Sequence, residues 1–253
     1  MKKSTKLSAF TLIELLIVIA IIGILAGLMS GAIANVMSGA NATKIGNNGR
    51  NIINALMQTN QDREAAALSA LWPKTSGKLL KEEFSTANGY FSILMKKEML
   101  SGISLPDFAG AGVAAAESPE KLATESKNIW CTLGGIGSCG SYTPIFWTRN
   151  LDTDTKIKEE KLGSADPEDA EQWAENLVAK ATPFGSELVV VIRKGGAMQV
   201  IKSKQLSDYT FLAGATNDTS AIKIWNAIDT GKKTFVDTEG RIDAFKRRFA
   251  KKG

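Results

Sequence analysis

The stretch FTLIELLIVIAIIGILAGLM, Phe10–Met29, limits what this chain can become more than any other. It holds a single charge, Glu14. As an α-helix rising about 1.5 Å per residue it would extend roughly 30 Å, the hydrocarbon thickness of a bilayer. A helix that is apolar on every face needs lipid or other helices around it. The residues before it are few and basic, with Lys2, Lys3 and Lys6. Those after it are many and mostly polar. The positive-inside rule then keeps the N-terminal end in the cytoplasm and places the C-terminal bulk on the far side.

Glu14 is the exception inside the run. A carboxylate there costs up to roughly 2.5–3.5 kcal/mol at the bilayer centre, and less near the helix end where Glu14 lies. Two readings stand. Glu14 is a stray acid held near the interface, or it meets a cation within the membrane. The run contains no Lys, Arg or His. Such a cation therefore comes from another chain or from a newly made N-terminal amine.

Lys6-Leu7-Ser8-Ala9-Phe10-Thr11-Leu12-Ile13-Glu14-Leu15, followed by an uninterrupted apolar run, resembles the processing and methylation signal of type IV pilins and type II secretion pseudopilins. The resemblance reaches to about Ser30 and no further. It implies that a prepilin peptidase cuts between Ala9 and Phe10 and methylates the new amine of Phe10. It also implies that Glu14 pairs with the Phe amine of a neighbouring subunit. The family usually has Gly before the cut, and Ala9 stands there instead. Alanine is small enough for a tight peptidase pocket. An amine at Phe10 within the bilayer would be as costly as the carboxylate of Glu14. Pairing them across two subunits neutralises both and sets the axial offset, and fixing register is the best-attested use of such a pair. The partners implied are prepilin peptidase, copies of the chain or other pilin-like subunits, an inner-membrane assembly platform, and membrane lipid.

Two other export routes compete. An ordinary secretory signal would be cut after the apolar run, and Ala40-Asn41-Ala42 has the small-x-small pattern, giving a chain that starts at Thr43. Its apolar region would be about 7–15 residues long, without an acid and close to its cut. A plain uncleaved anchor is the other.

The 253 residues leave room after the apolar run for one globular domain with its own core. The formal charge of +5 falls by the three leader lysines to +2, too little to argue for nucleic acid. There is no histidine. That excludes Ser-His-Asp and Cys-His catalysis and His-ligated metals. Cys131 and Cys139 cannot form a structural zinc site alone. In an exported domain they read as a disulfide closing CTLGGIGSC, worth about 2.5 kcal/mol on the chain-entropy model. In a cytosolic domain they would be two thiols.

Gly23, Gly27 and Gly31 recur every fourth residue, on one helix face. Such faces let membrane helices approach closely, although each glycine costs about 1 kcal/mol of helix propensity. From Ser30 to Leu71 the pattern turns amphipathic, with Ile45, Ile52, Ile53, Leu56 and Met57 on one stripe. Gly46-Asn47-Asn48-Gly49 leaves a bend open. Glu64–Leu71 is rich in Ala and Leu, and Pro73 ends the helix. A helix from Thr11 to Trp72 would be about 90 Å long. Short helices are expected at Lys78–Ser85 and at Tyr90–Leu100, the latter capped by Asn88. Ser101–Lys127 reads as an irregular surface insertion. Ile129–Leu133 and Thr143–Thr148 read as strands around the cysteine loop, and Leu151–Gly163 as a charged loop. Asp166-Pro167-Glu168 opens a helix to Ala181 that buries Trp173, Leu177 and Val178. Glu187–Arg193, a Lys194-Gly195-Gly196 turn and Ala197–Lys202 form a hairpin. Thr219–Ile228 is a helix or strand, Thr234–Asp237 a short strand, and Arg241–Lys252 a basic amphipathic helix.

Asp152-x-Asp154 and Asp237-x-Glu239-Gly240-x-x-Asp243 have loose calcium-loop spacing without the full pattern. They read as solvated turns, and calcium is the one metal left open. The Trp residues are scattered and read as core, not as a sugar platform. The tail lysines and arginines, Lys246 to Lys252, read as a solvated helix face.

The expected fold is α+β and pilin-like: leader 1–9, transmembrane or filament-core helix 10–31, amphipathic half of the spine 32–72, and headpiece 73–253. The expected function is structural and not enzymatic, without a cofactor: a subunit of a pilin-like filament, of the pseudopilin kind. The alternative is a solitary membrane-anchored exported binding protein that shares the export route without polymerising.

Overall fold

The computed structural model of the chain describes residues 12–125, 127–137, 139–151, 182–205, 223–225 and 227. Within the first helix the side chains of residues 29–32, 34 and 35 lie outside that description. The chain divides into two compact units, residues 1–43 and 44–253. Helix α1, Leu12–Ala65, contributes to both.

The second unit is built where the amphipathic stripe of α1 meets an antiparallel sheet. Ile45, Gly46, Gly49, Ile52, Ile53, Leu56 and Asn60 are buried, the i, i+4, i+7, i+8, i+11 spacing of one helix face. Ile52, Ile53 and Leu56 have no exposed surface. Gly46 and Gly49 do not break the helix. They are where it comes closest to the sheet. A Cβ on Gly49 would lie 2.6 Å from Ile192 Cγ1 and 2.7 Å from Trp130 Cη2, and one on Gly46 would strike the Met198 side chain.

The sheet has five strands: β3 (Trp130–Gly134), β4 (Pro144–Thr148), β5 (Leu188–Arg193), β6 (Met198–Lys202) and β7 (Lys223–Trp225). Their order is β6-β5-β4-β3-β7 and every pairing is antiparallel. Strands β3, β4 and β5 are buried along their whole length. This suits their unbroken apolar runs, which a one-sided strand would alternate with polar residues. The β5–β6 hairpin turns at Lys194-Gly195-Gly196, with Gly196 at φ +83 and the Arg193 amide donating to the Ala197 carbonyl at 2.8 Å. The α+β layout of a long N-terminal helix and an antiparallel sheet is as expected from the sequence.

Several local expectations fail for identifiable reasons. Helix α1 stops at Ala65, short of Pro73. The Leu68 amide reaches back to the Arg63 carbonyl at 2.7 Å and the Ala67 amide to Glu64 at 2.9 Å, a Schellman closure with Ala67 at φ +55 where glycine is usual. The next turn is pinned from the core: Asn60 Oδ1 accepts the Leu71 amide at 2.6 Å, and the Tyr90 hydroxyl donates to the Leu71 carbonyl at 2.9 Å. Lys78–Ser85 is not a helix but a two-stranded hairpin, β1 (Lys78–Leu79) and β2 (Glu82–Glu83). Its turn residues Leu80 and Lys81 both have positive φ, 50 and 70. Two such residues make a turn of the kind that suits the strand twist.

Helix α2 is Ala87–Lys96, and its cap is Thr86, whose hydroxyl accepts the Gly89 amide at 3.1 Å. Asn88 is instead buried, its side-chain oxygen accepting from Asn128 Nδ2 at 2.8 Å. Residues 101–127 are not merely a surface insertion. The 3-10 turn Leu105–Phe108 and helix α3, Pro119–Thr124, send Phe108 and Leu122 fully into the core. Aromatic rings then run in a chain: Trp225 to Phe84 at 5.0 Å, Phe84 to Tyr90, Tyr90 to Phe91, and Phe91 to both Phe108 and Phe146 at 5.0 and 5.2 Å. The helix from Asp166, the strand Thr234–Asp237, the tail helix Arg241–Lys252 and both acidic clusters fall outside the described residues.

Candidate functional site

The first part of α1 presents an apolar surface on every side. Each residue from Leu12 to Leu28 is exposed, the large apolar side chains from Val18 at 44% to Leu12 at 83%. Glu14 lies in the first helical turn and is exposed too. An acid there is favoured by the helix dipole. Leu, Ile and Val around a full helix circumference form a patch that a soluble monomer does not leave in water. Among the described residues nothing places a steric demand on Gly23, Gly27 or Gly39, since a Cβ on any of them meets nothing within 4 Å. Their small size is therefore unexplained by packing inside unit one.

Among the described residues, no helix is long and apolar enough to cross a membrane. The expected span begins at Phe10 and ends at Met29. Its first two residues and the side chain of its last lie outside the description. Ala9 and Phe10, the expected cleavage and methylation residues, fall outside it as well.

A second feature lies in the other unit. A cleft of about 460 Å³ opens between Ser69–Ser76 and the Gly135–Gly137 turn. The two walls are tied by the Gly135 amide, which donates to the Pro73 carbonyl at 2.9 Å, and Gly135 takes φ +81. Lys194, from the β5–β6 turn, sets both walls. Its Nζ donates to the carbonyls of Ile136 at 3.1 Å, Gly137 at 2.8 Å and Cys139 at 2.7 Å. It also sits 5.0 Å from the centre of the Trp72 ring. Burial pushes the Lys194 ammonium below its ordinary value, and the charge of Cys139 opposes that.

The expected Cys131–Cys139 disulfide is not present. Cys131 is committed to β3, opposite Trp147, and both cysteines are buried. The loop between them is closed by the lysine instead, whose three donors meet three carbonyls. The sequence reading missed Lys194 and Trp72. The available signal was a lysine at a hairpin turn next to two glycines, which also describes any solvated turn. Among the described residues no cluster of three metal-binding side chains exists.

Residues 6–30 match the prokaryotic N-terminal methylation motif. No curated protein and no solved structure matches the chain. Over those residues the chain carries the prepilin signal of type IV pilins and pseudopilins. The match includes Ala9, Phe10 and Glu14 and takes in the exposed apolar stretch Leu12–Leu28.

Proposed function

We propose that this prepilin-processed chain is a structural subunit of a type IV pilin-like filament, of the pseudopilin kind that serves a type II secretion-like system. The observation that carries the reading is the apolar helix Leu12–Leu28, exposed on every side and lying within the matched signal. Such a surface needs lipid before assembly and neighbouring helices after it. In this reading Phe10–Met29 lies in the inner membrane, the leader in the cytoplasm and the headpiece outside. Prepilin peptidase cuts between Ala9 and Phe10 and methylates Phe10. Glu14 then meets the Phe10 amine of a neighbouring copy, and Gly23, Gly27 and Gly31 let adjacent helices approach. The headpiece does no chemistry.

Glu14→Val tests it. The variant should be cut normally, stay in the membrane and fail to appear in sheared filaments. Filaments formed at the parental level would refute the proposal. The open cleft beside Trp72 favours a second reading, a solitary membrane-tethered binding protein. For that protein Glu14→Val would be without effect.

A further inference from the structure

We infer that the cleft between Ser69–Ser76 and Gly135–Gly137 is a saccharide-binding site in which a sugar ring stacks on Trp72. Three of the other Trp residues, Trp130, Trp147 and Trp225, are buried in the core. Trp72 is half-buried, on the cleft wall. Its ring is oriented before any ligand arrives. Leu71 before it is held on both backbone polar groups by Asn60 and Tyr90, Pro73 after it is buried, and Lys194 occupies one face of the indole. Ordering that is already complete is not charged against binding.

The lining selects the ligand class. Among the described residues no acid lines the cleft, so a cation has no counter-charge there. Lys194 has three donors and all three are engaged by carbonyls. Lys74 is left as the ammonium of the lining, a poor basis for holding a phosphate. The apolar contribution is one indole ring with Ala70 and Pro73, too little to enclose a wholly hydrophobic ligand. Ser69, Thr75 and Ser76, each carrying a hydroxyl, also line the cleft. A sugar matches both parts, with a C–H face for the indole and hydroxyls for the rim. The volume falls within the range of about 300–1,000 Å³ usual for small-ligand sites. The inference is independent of the filament proposal, since a solitary tethered protein would carry the same cleft.

The test titrates the full chain, in a detergent without a sugar headgroup, with maltose, lactose and N,N′-diacetylchitobiose. Binding is read by saturation-transfer NMR and by calorimetry. At least one should bind with Kd of about 10 mM or tighter. Trp72→Ala should weaken it by about tenfold or more. Gly137→Phe, at a position where an added Cβ meets nothing within 4 Å, should fill the cleft and abolish binding with an unchanged melting temperature. This variant keeps the test decisive should Trp72→Ala fail to fold. The inference is overturned if none of the three binds at about 10 mM. It is equally overturned if Gly137→Phe binds as the parent does, or if inorganic phosphate binds where the sugars do not.

Discussion

Replacing Gly49 by alanine sets two effects of known size against each other. In an isolated helix the change is favourable by about 1 kcal/mol, because glycine loses more backbone freedom on folding. Here the new Cβ would lie 2.6 Å from Ile192 Cγ1 and 2.7 and 2.8 Å from Trp130 Cη2 and Cζ2. Ordinary carbon contacts begin at about 3.5 Å, so the neighbours must retreat by about 1 Å. Neither has anywhere to go, since Ile192 and Trp130 are both at 0% exposure. Forcing a methyl into such a core costs about 1–3 kcal/mol, occasionally more. With two fully buried neighbours to displace, the upper half of that range applies, about 2–3 kcal/mol, so the steric term wins with a net loss of about 1–2 kcal/mol. For a domain of this size that lowers the melting temperature by roughly 2–8 °C. The assay is a thermal melt of the full chain in detergent, followed by near-UV circular dichroism. Adding Ile192→Ala should make the double variant less unstable than the two single losses summed, because the residues are in contact. A Gly49→Ala protein that melts above the parent would refute the docking of α1 on the sheet at this glycine.

Three further outcomes follow from the same structure. Ala67 and Glu98 close helices α1 and α2 at φ 55 and 53, so Ala67→Gly and Glu98→Gly should each stabilise by about 0.5–1 kcal/mol in denaturant melts. Burial raises the Tyr90 phenol well above its ordinary value of 10.0. The folded chain therefore holds that proton more tightly than the unfolded chain. The stability linked to it is complete below about pH 10 and is lost as pH rises beyond. Tyr90→Phe should cost about 1 kcal/mol at pH 7, from the Leu71 carbonyl it leaves unmatched, and should flatten the alkaline loss in melts taken between pH 8 and 11.

Much of this fold was legible because the pattern and the environment agree. The stripe Ile45, Ile52, Ile53, Leu56 has helical period and is buried as one face. The run Leu188–Arg193 is apolar without alternation and is covered on both faces. Where local signals are silent, tertiary contacts decided. Leu80 and Lys81 adopt positive φ without a Gly or Asn to announce a turn, so a hairpin reads as a helix. Gly46 and Gly49 look like a weak point until the sheet is placed beside them. Ala67 ends α1 where composition favours its continuation. Phe108 and Leu122 enter the core from a segment without periodicity. The methylation motif over residues 6–30 was legible, because it is a pattern of sequence alone. The Trp72 cleft was not, because it joins two separated segments, 69–76 and 135–137, beside one lysine from a third turn.

The intact mass of the mature protein, purified from membranes or filaments, tests the account most directly. The account predicts a chain that has lost Met1–Ala9 and carries one methyl on Phe10. A mass corresponding to the uncut chain, or to one beginning at Thr43, would contradict it.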